Sequence, residues 1–258
     1  MMQSSTICPE DLSIVCEHVN FSYGKQEILK DISFSVGKGV TGILGTNGAG
    51  KTTVLSILST LKKPKSGHVA LLGHDLSRYS SVEGARKNLG FLPQHVEVMN
   101  FSSVQDNVAY AAWAHGVDEK HVEEATMRAL SAVNLEDKAS VKARKLSGGQ
   151  RQRLGIACTI AHNPQIIILD EPTVGVDPLQ RNDLRNLILH LGQSRTVILS
   201  THLVDDIARI AQTLLILNSG NLSYCGPLAD LDEVRACTSQ SPTDVAESIE
   251  HAFARLGS

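Results

Sequence analysis

Gly45-Thr46-Asn47-Gly48-Ala49-Gly50-Lys51-Thr52 decides the reading of this 258-residue chain. The run Val40 to Leu44 before it is apolar and β-branched, as a buried strand is. From Thr52 the pattern changes: Val54, Leu55, Leu58 and Leu61 fall at helical spacing until Pro64 and Gly67 stop the helix. Strand, turn and helix in that order match GxxxxGK[ST]. Glycines let successive backbone N–H groups curl toward one anion, a path that side chains would obstruct. Lys51 adds a point charge, the helix N-terminus adds partial positive charge, and the Thr52 hydroxyl is placed to ligate Mg²⁺. Gly45 to Thr53 are thus expected to cradle a nucleoside triphosphate, with Lys51 near its β- and γ-phosphates.

Working outward, strands are expected at Leu12 to Cys16 and Ile32 to Val36, with a turn at Ser22-Tyr23-Gly24, and again at His68 to Leu72. They make an N-terminal antiparallel β subdomain. Between Gln94 and Pro164 strand signals nearly vanish, while Val122, Ala125, Ala129, Leu130 and Val133 repeat at helical spacing after Asp118-Glu119. A helical subdomain inserted at about 95–164 is the expectation. Strands return at Ile166 to Leu169, Thr196 to Ser200 and Thr213 to Leu217, with a helix on Leu184, Leu187, Ile188 and Leu191 between them. That alternation predicts an α/β fold with a mostly parallel sheet and crossover helices. One domain over 12–226 and a short tail over 227–258 follow, the tail carrying a helix from Ser241-Pro242 with Val245, Ile249, Ala252 and Phe253 on one side.

A net charge of -3 gives no global attraction to nucleic acid or anionic lipid. The five cysteines, Cys8, Cys16, Cys158, Cys225 and Cys237, form no CxxC pair and are odd in number, so reduced thiols are expected. No stretch approaches the roughly 20 apolar residues of a membrane span. The N-terminus lacks the basic-then-apolar pattern of a secretory leader. Any membrane this protein serves is spanned by a partner.

Ile166-Ile167-Ile168-Leu169-Asp170-Glu171 is an apolar strand ending in two carboxylates, at the strand edge where open α/β sheets bind ligands. Asp170 is expected to hold Mg²⁺ through water, and Glu171 to orient or deprotonate a water attacking the γ-phosphate. With Lys51 and Thr52 this defines a P-loop nucleotide hydrolase core, a class spanning kinases, GTPases, helicases and motors.

Leu146-Ser147-Gly148-Gly149-Gln150 then precedes Arg151-Gln152-Arg153 and a helix with Leu154, Ala157, Cys158 and Ala161 on one face. Ser147 and the two glycines at a helix start make a second anion site. The motif and its place before the acidic strand resemble the ATP-binding-cassette superfamily over about Leu12 to Gly226. The resemblance implies ATP as ligand and a head-to-tail dimer, each ATP lying between one chain's phosphate loop and the other's Ser147-Gly148-Gly149-Gln150. It also implies that Tyr23 stacks on adenine and that Gln94, in Phe91-Leu92-Pro93-Gln94, senses Mg²⁺ and the attacking water. The resemblance further implies that Asp177 contacts the opposite protomer and that His202, after Ser200-Thr201, bonds the γ-phosphate. The departures are Thr46 where proline is common and Val176 where leucine is common.

One cassette without a heptad array or basic tail points to an ATPase subunit on the cytoplasmic face of a membrane, held there by a separate polytopic permease. Pro172 to Pro178 looks most like single-cassette exporters. The second cassette, identical or not, completes the dimer, and no nucleic acid is expected. The alternative is a soluble cassette ATPase acting on ribosomes or nucleic acid.

Overall fold

Alternation of apolar side chains builds two sheets. The computed structural model describes residues 12–231, residue 234 and residues 241–256. Cys8, Cys237 and the N-terminal segment read for a leader lie outside them. The first sheet joins β1 (Leu12–Tyr23), β2 (Gln26–Gly37), β4 (Ser66–Leu71) and β5 (His74–Asp75) in the order β2-β1-β4-β5, all pairs antiparallel. The second joins β3 (Gly39–Gly45), β6 (Leu89–Leu92), β7 (Ile166–Asp170), β8 (Thr196–Ser200), β9 (Thr213–Asn218) and β10 (Asn221–Pro227). Its order is β10-β9-β3-β8-β7-β6, and every pair is parallel except β10 with β9.

Both faces of the inner strands of the second sheet are covered, so β7, β8 and β9 are largely apolar runs. On β7, Ile166 and Ile168 enter one core while Ile167 and Leu169 enter the other. The first core also takes α1 (Lys51–Leu58) and the antiparallel sheet. The other takes α3 (Val104–Ala114), α4 (Glu119–Ala132), α5 (Gly148–Ile160), α6 (Pro178–Gly192), α7 (Val204–Ile210) and α8 (Pro242–Leu256). The remaining helix, α2 (Tyr79–Arg86), precedes β6. Each fully buried Ile or Leu contributes about 1.5–3 kcal/mol. The helices α3, α4 and α5 all lie between β6 and β7, which are neighbours in the sheet.

Three local expectations change. Strand β1 runs on through Tyr23, so the turn narrows to Gly24-Lys25. Helix α1 stops at Leu58, because Thr60 takes a left-handed φ of 61° and reverses the chain, leaving Leu61 65% exposed rather than on the buried face. Strands β6 and β10 gave no clear sequence signal, one being only Leu89–Leu92 and the other a polar edge strand.

A stacked histidine pair, ring centroids 4.1 Å apart, ties the end of α3 to the end of α5. His162 Nε2 donates to the Leu89 carbonyl at 3.1 Å and His115 Nδ1 to that of Ala111 at 2.9 Å. Burial, and then the neighbouring His115, push His162 from 6.5 down to about 4. The unfolded chain therefore binds this proton first: stability is full above the unfolded value and is lost as pH falls from 6.5 toward 4, by at most about 3 kcal/mol. Urea midpoints should drop between about pH 7 and about pH 5, and drop less in His162→Gln, which keeps a donor for Leu89 but cannot titrate. An identical drop in both proteins would remove His162 as the cause.

Candidate functional site

The parallel register brings the chemistry-bearing residues to one edge. Ile43 of β3 and Asp170 of β7 both pair with Ser200 of β8, and Leu92 of β6 pairs with Leu169. The segments leaving these strands, Gly45 onward, Asp170-Glu171, Thr201-His202 and Pro93-Gln94, therefore emerge side by side. Open α/β sheets bind ligands at this carboxyl edge.

The loop after β3 is held from within. Ala49 N–H donates to the Thr46 carbonyl at 3.1 Å, and Gly220 N–H donates to Ala49 at 3.2 Å. Gly50 caps α1 with φ 107°, a conformation other residues rarely adopt, and a Cβ there would lie 2.6 Å from Leu29 Cδ2. Thr46, Asn47 and Gly48 stay exposed, Ala49 and Gly50 are buried, and Thr52 is the one exposed residue of α1. Thr53, expected in the cradle, is buried, 7% exposed. Lys51, 8% exposed, donates from Nζ to the carbonyls of Gly45 at 2.6 Å and Thr46 at 3.2 Å. Burial pulls its pKa below the ordinary lysine value, while Glu171 and Asp170 hold it up. The two carboxylates that end the acidic strand thus favour the charged ammonium.

Asp170 is 3% exposed, and its Oδ1 accepts the Ser200 hydroxyl at 2.5 Å. Glu171 follows with φ 53°, the left-handed region where a non-glycine residue costs on the order of 1 kcal/mol. Its N–H is held there by the Ser200 carbonyl and hydroxyl, each at 3.1 Å. This turn carries the Glu171 side chain to His202, whose Nδ1 lies 2.9 Å from Glu171 Oε2. Toward an ionised carboxylate that nitrogen must donate, so His202 can donate at Nε2 as well only when doubly protonated. Ser200 was not singled out from sequence, since a serine ending a buried strand carries no signal of its own.

The remaining expected residues take no part in these bonds. Gln94 is exposed just beyond β6. Tyr23, 49% exposed, meets Phe21 edge-on at 5.0 Å, and Lys62 Nζ lies 4.8 Å from its ring centroid, covering one face. Ser147 caps α5: its hydroxyl accepts from Gln150 N–H at 3.2 Å while Gln150 Oε1 accepts from Ser147 N–H at 3.0 Å. The hydroxyl hydrogen remains free to donate elsewhere. Gly148 lies near the Gly175 carbonyl, and a Cβ on Gly149 would fall 1.5 Å from Gln180 Oε1, so only glycine fits that approach as it stands. Asp177 caps α6, accepting from Gln180 N–H at 3.0 Å. Among the described residues no hydrogen bond or ion pair joins Ser147 to Gln150 with the loop at Gly45 to Thr52.

Among the described residues no group of three or more His, Cys, Asp or Glu side chains could hold a metal ion. Thr52 and Asp170 nevertheless fit magnesium, which prefers oxygen and takes few protein ligands beside phosphate and water. No helix among the described residues is long and apolar enough to cross a membrane.

The family profile described as ABC transporter matches residues 29–174. The chain is 36% identical to the methionine import ATP-binding protein MetN of Ligilactobacillus salivarius, over 83% of this chain and 64% of that protein. It is 30% identical to the linearmycin resistance ATP-binding protein LnrL of Bacillus subtilis, over 83% of this chain and 69% of that one. It spans only 10–14% of the length of three human sub-family A proteins that it matches at 35–38% identity. In fold it resembles the structure of the ATP binding subunit of an ABC transporter, with TM-score 0.80 and 24% identity, covering 95% of this chain and 99% of that one.

Proposed function

The chain belongs to the ABC transporter family as an ATP-binding subunit, and from that premise we propose that it hydrolyses ATP to drive export through a separate polytopic membrane subunit. The observation that carries the hydrolysis is the convergence of Lys51, Asp170, Glu171 and His202 at the carboxyl ends of β3, β7 and β8. Lys51 and the N–H groups of Gly45 to Thr53 bind the phosphates. Thr52, Asp170 and Gln94 would hold Mg²⁺, which would neutralise charge on the phosphate oxygens. Glu171 orients the attacking water and accepts its proton. His202 donates to a γ-phosphate oxygen, and its bond to Glu171 keeps base and donor in register. Tyr23 offers its uncovered ring face to adenine.

Ser147 to Gln150 serve the ATP of a second copy, identical or not, a reading supported by their having no hydrogen bond or ion pair, among the described residues, to this chain's own phosphate loop. Asp177 contacts the second copy. ATP closes the dimer and hydrolysis reopens it, so the functional unit is the dimer, each copy contributing one domain over 12–226 whose helical part at about 95–164 receives the permease. The tail over 227–258 adds α8. Export is favoured by the Pro172 to Pro178 segment and by the resistance role in the name of one relative, although another is named for import. The protein acts on the cytoplasmic face, through its permease.

Purification from its own membranes, with identification of companions and an ATPase assay, tests this. A polytopic partner and ATP turnover are expected. Ribosomes or nucleic acid as the companion would overturn the transport reading, and absence of turnover the hydrolytic one.

A further inference from the structure

The segments carrying Glu171 and His202 are tied a second time, at a buried carboxylate that the reaction chemistry does not use. Thr173 and Asp206 are each 0% exposed, and the Thr173 hydroxyl donates to Asp206 Oδ2. Asp206 Oδ1 accepts from Arg185, 6% exposed, through Nε at 2.7 Å and through Nη2. Arg185 goes on to Asn182 Oδ1 at 3.0 Å and Asp205 Oδ2 at 2.5 Å, and Arg209 Nε reaches Asp205 Oδ1 at 2.9 Å. Thr173 stands two residues after Glu171, Arg185 is in α6 behind its Asp177 cap, and Asp206 is in α7, four residues after His202. Short backbone bonds complete the path: Val174 N–H to the Glu171 carbonyl at 3.3 Å, Val176 N–H to Thr173 at 3.4 Å, and Asp206 N–H to Leu203 at 3.0 Å.

An apolar side chain of similar volume could fill the space of a buried ion pair at no loss of stability, so stability alone does not account for this one. Its geometry does: one carboxylate joins three segments, each bearing a residue of the site. We propose that Asp206 is a positioning residue that, through Thr173 and Arg185, fixes the separation between Glu171 and His202. The inference rests on those two residues being the hydrolytic pair. Asp206 itself touches neither nucleotide nor water. Displacing a reacting group by about 1 Å costs on the order of 100-fold in rate, while binding contacts made elsewhere stay intact.

The test compares kcat, KM and ATP Kd in Thr173→Val, Thr173→Ser and Asp206→Asn, with thermal midpoints recorded alongside. Thr173→Val should lower kcat about 10- to 100-fold with KM and Kd within about twofold, and Thr173→Ser, which keeps the hydroxyl, should recover most of that loss. Asp206→Asn should fall at least as far. If that variant does not fold, the Thr173 pair decides, since valine matches threonine in shape and unpairs no charge. An unchanged kcat in Thr173→Val, a serine variant as slow as valine, or a loss confined to KM would overturn the positioning role. A wild-type protein that binds ATP without hydrolysing it would instead overturn the hydrolytic reading, and this inference with it.

Discussion

Replacing Glu171 with glutamine is expected to lower ATP turnover by about 10²- to 10⁴-fold, on the order of 3–5 kcal/mol of barrier, while ATP still binds. Glutamine preserves the size of the side chain and an oxygen that can accept from His202 Nδ1, now 2.9 Å from Glu171 Oε2. The backbone turn at φ 53°, pinned by Ser200, is unaffected. What is lost is the negative charge, and with it the capacity to take a proton from water. With closure intact and reopening blocked, an ATP-bound dimer should accumulate, visible by size-exclusion chromatography with ATP present. Undiminished turnover would remove Glu171 from the base role.

Lys51→Ala should act at the other step, raising the ATP Kd by about 10- to 100-fold, or roughly 1.4–2.8 kcal/mol. The ammonium is held by the carbonyls of Gly45 and Thr46, and the charges of Glu171 and Asp170 favour its protonated form, so it is in place before any phosphate arrives. Because its burial already disfavours the charged form, removing it should cost the fold little. Titration calorimetry separates the outcomes, and an affinity within about twofold of the wild type would mean that the backbone cradle alone carries phosphate binding. The two substitutions are coupled, since Glu171→Gln withdraws one of the charges that keep Lys51 protonated.

Much of the architecture was legible because it is written in local periodicity. Ile166 to Leu169 announces a strand buried on both faces, and that strand divides its side chains between two cores. Asp118 before Glu119 marks a helix start and does cap α4. Features that depend on partners distant in sequence were silent. Arg185 on a helix reads as a solvated charge, yet its buried partner Asp206 lies 21 residues on. Lys62 gave no hint that it would lie over Tyr23, nor Thr60 that it would turn Leu61 outward. The site residues were found by motif, whereas their mutual bonds, Ser200 to Asp170 and His202 to Glu171, required the sheet to place them.

Strand β3 sits between two strands encoded far downstream, with Gly39 opposite Thr196 on one side and Thr41 opposite Thr213 on the other. During synthesis the nascent chain can therefore finish the antiparallel sheet once Asp75 has emerged. The strand ending at Gly45 has no neighbour until β8 and β9 have left the exit tunnel. An apolar strand must wait unpaired until Thr196 and the residues after it have been made, exposed to aggregation and to chaperones. A chain truncated before Thr196 would thus carry the whole phosphate-loop sequence without the sheet that gives it shape.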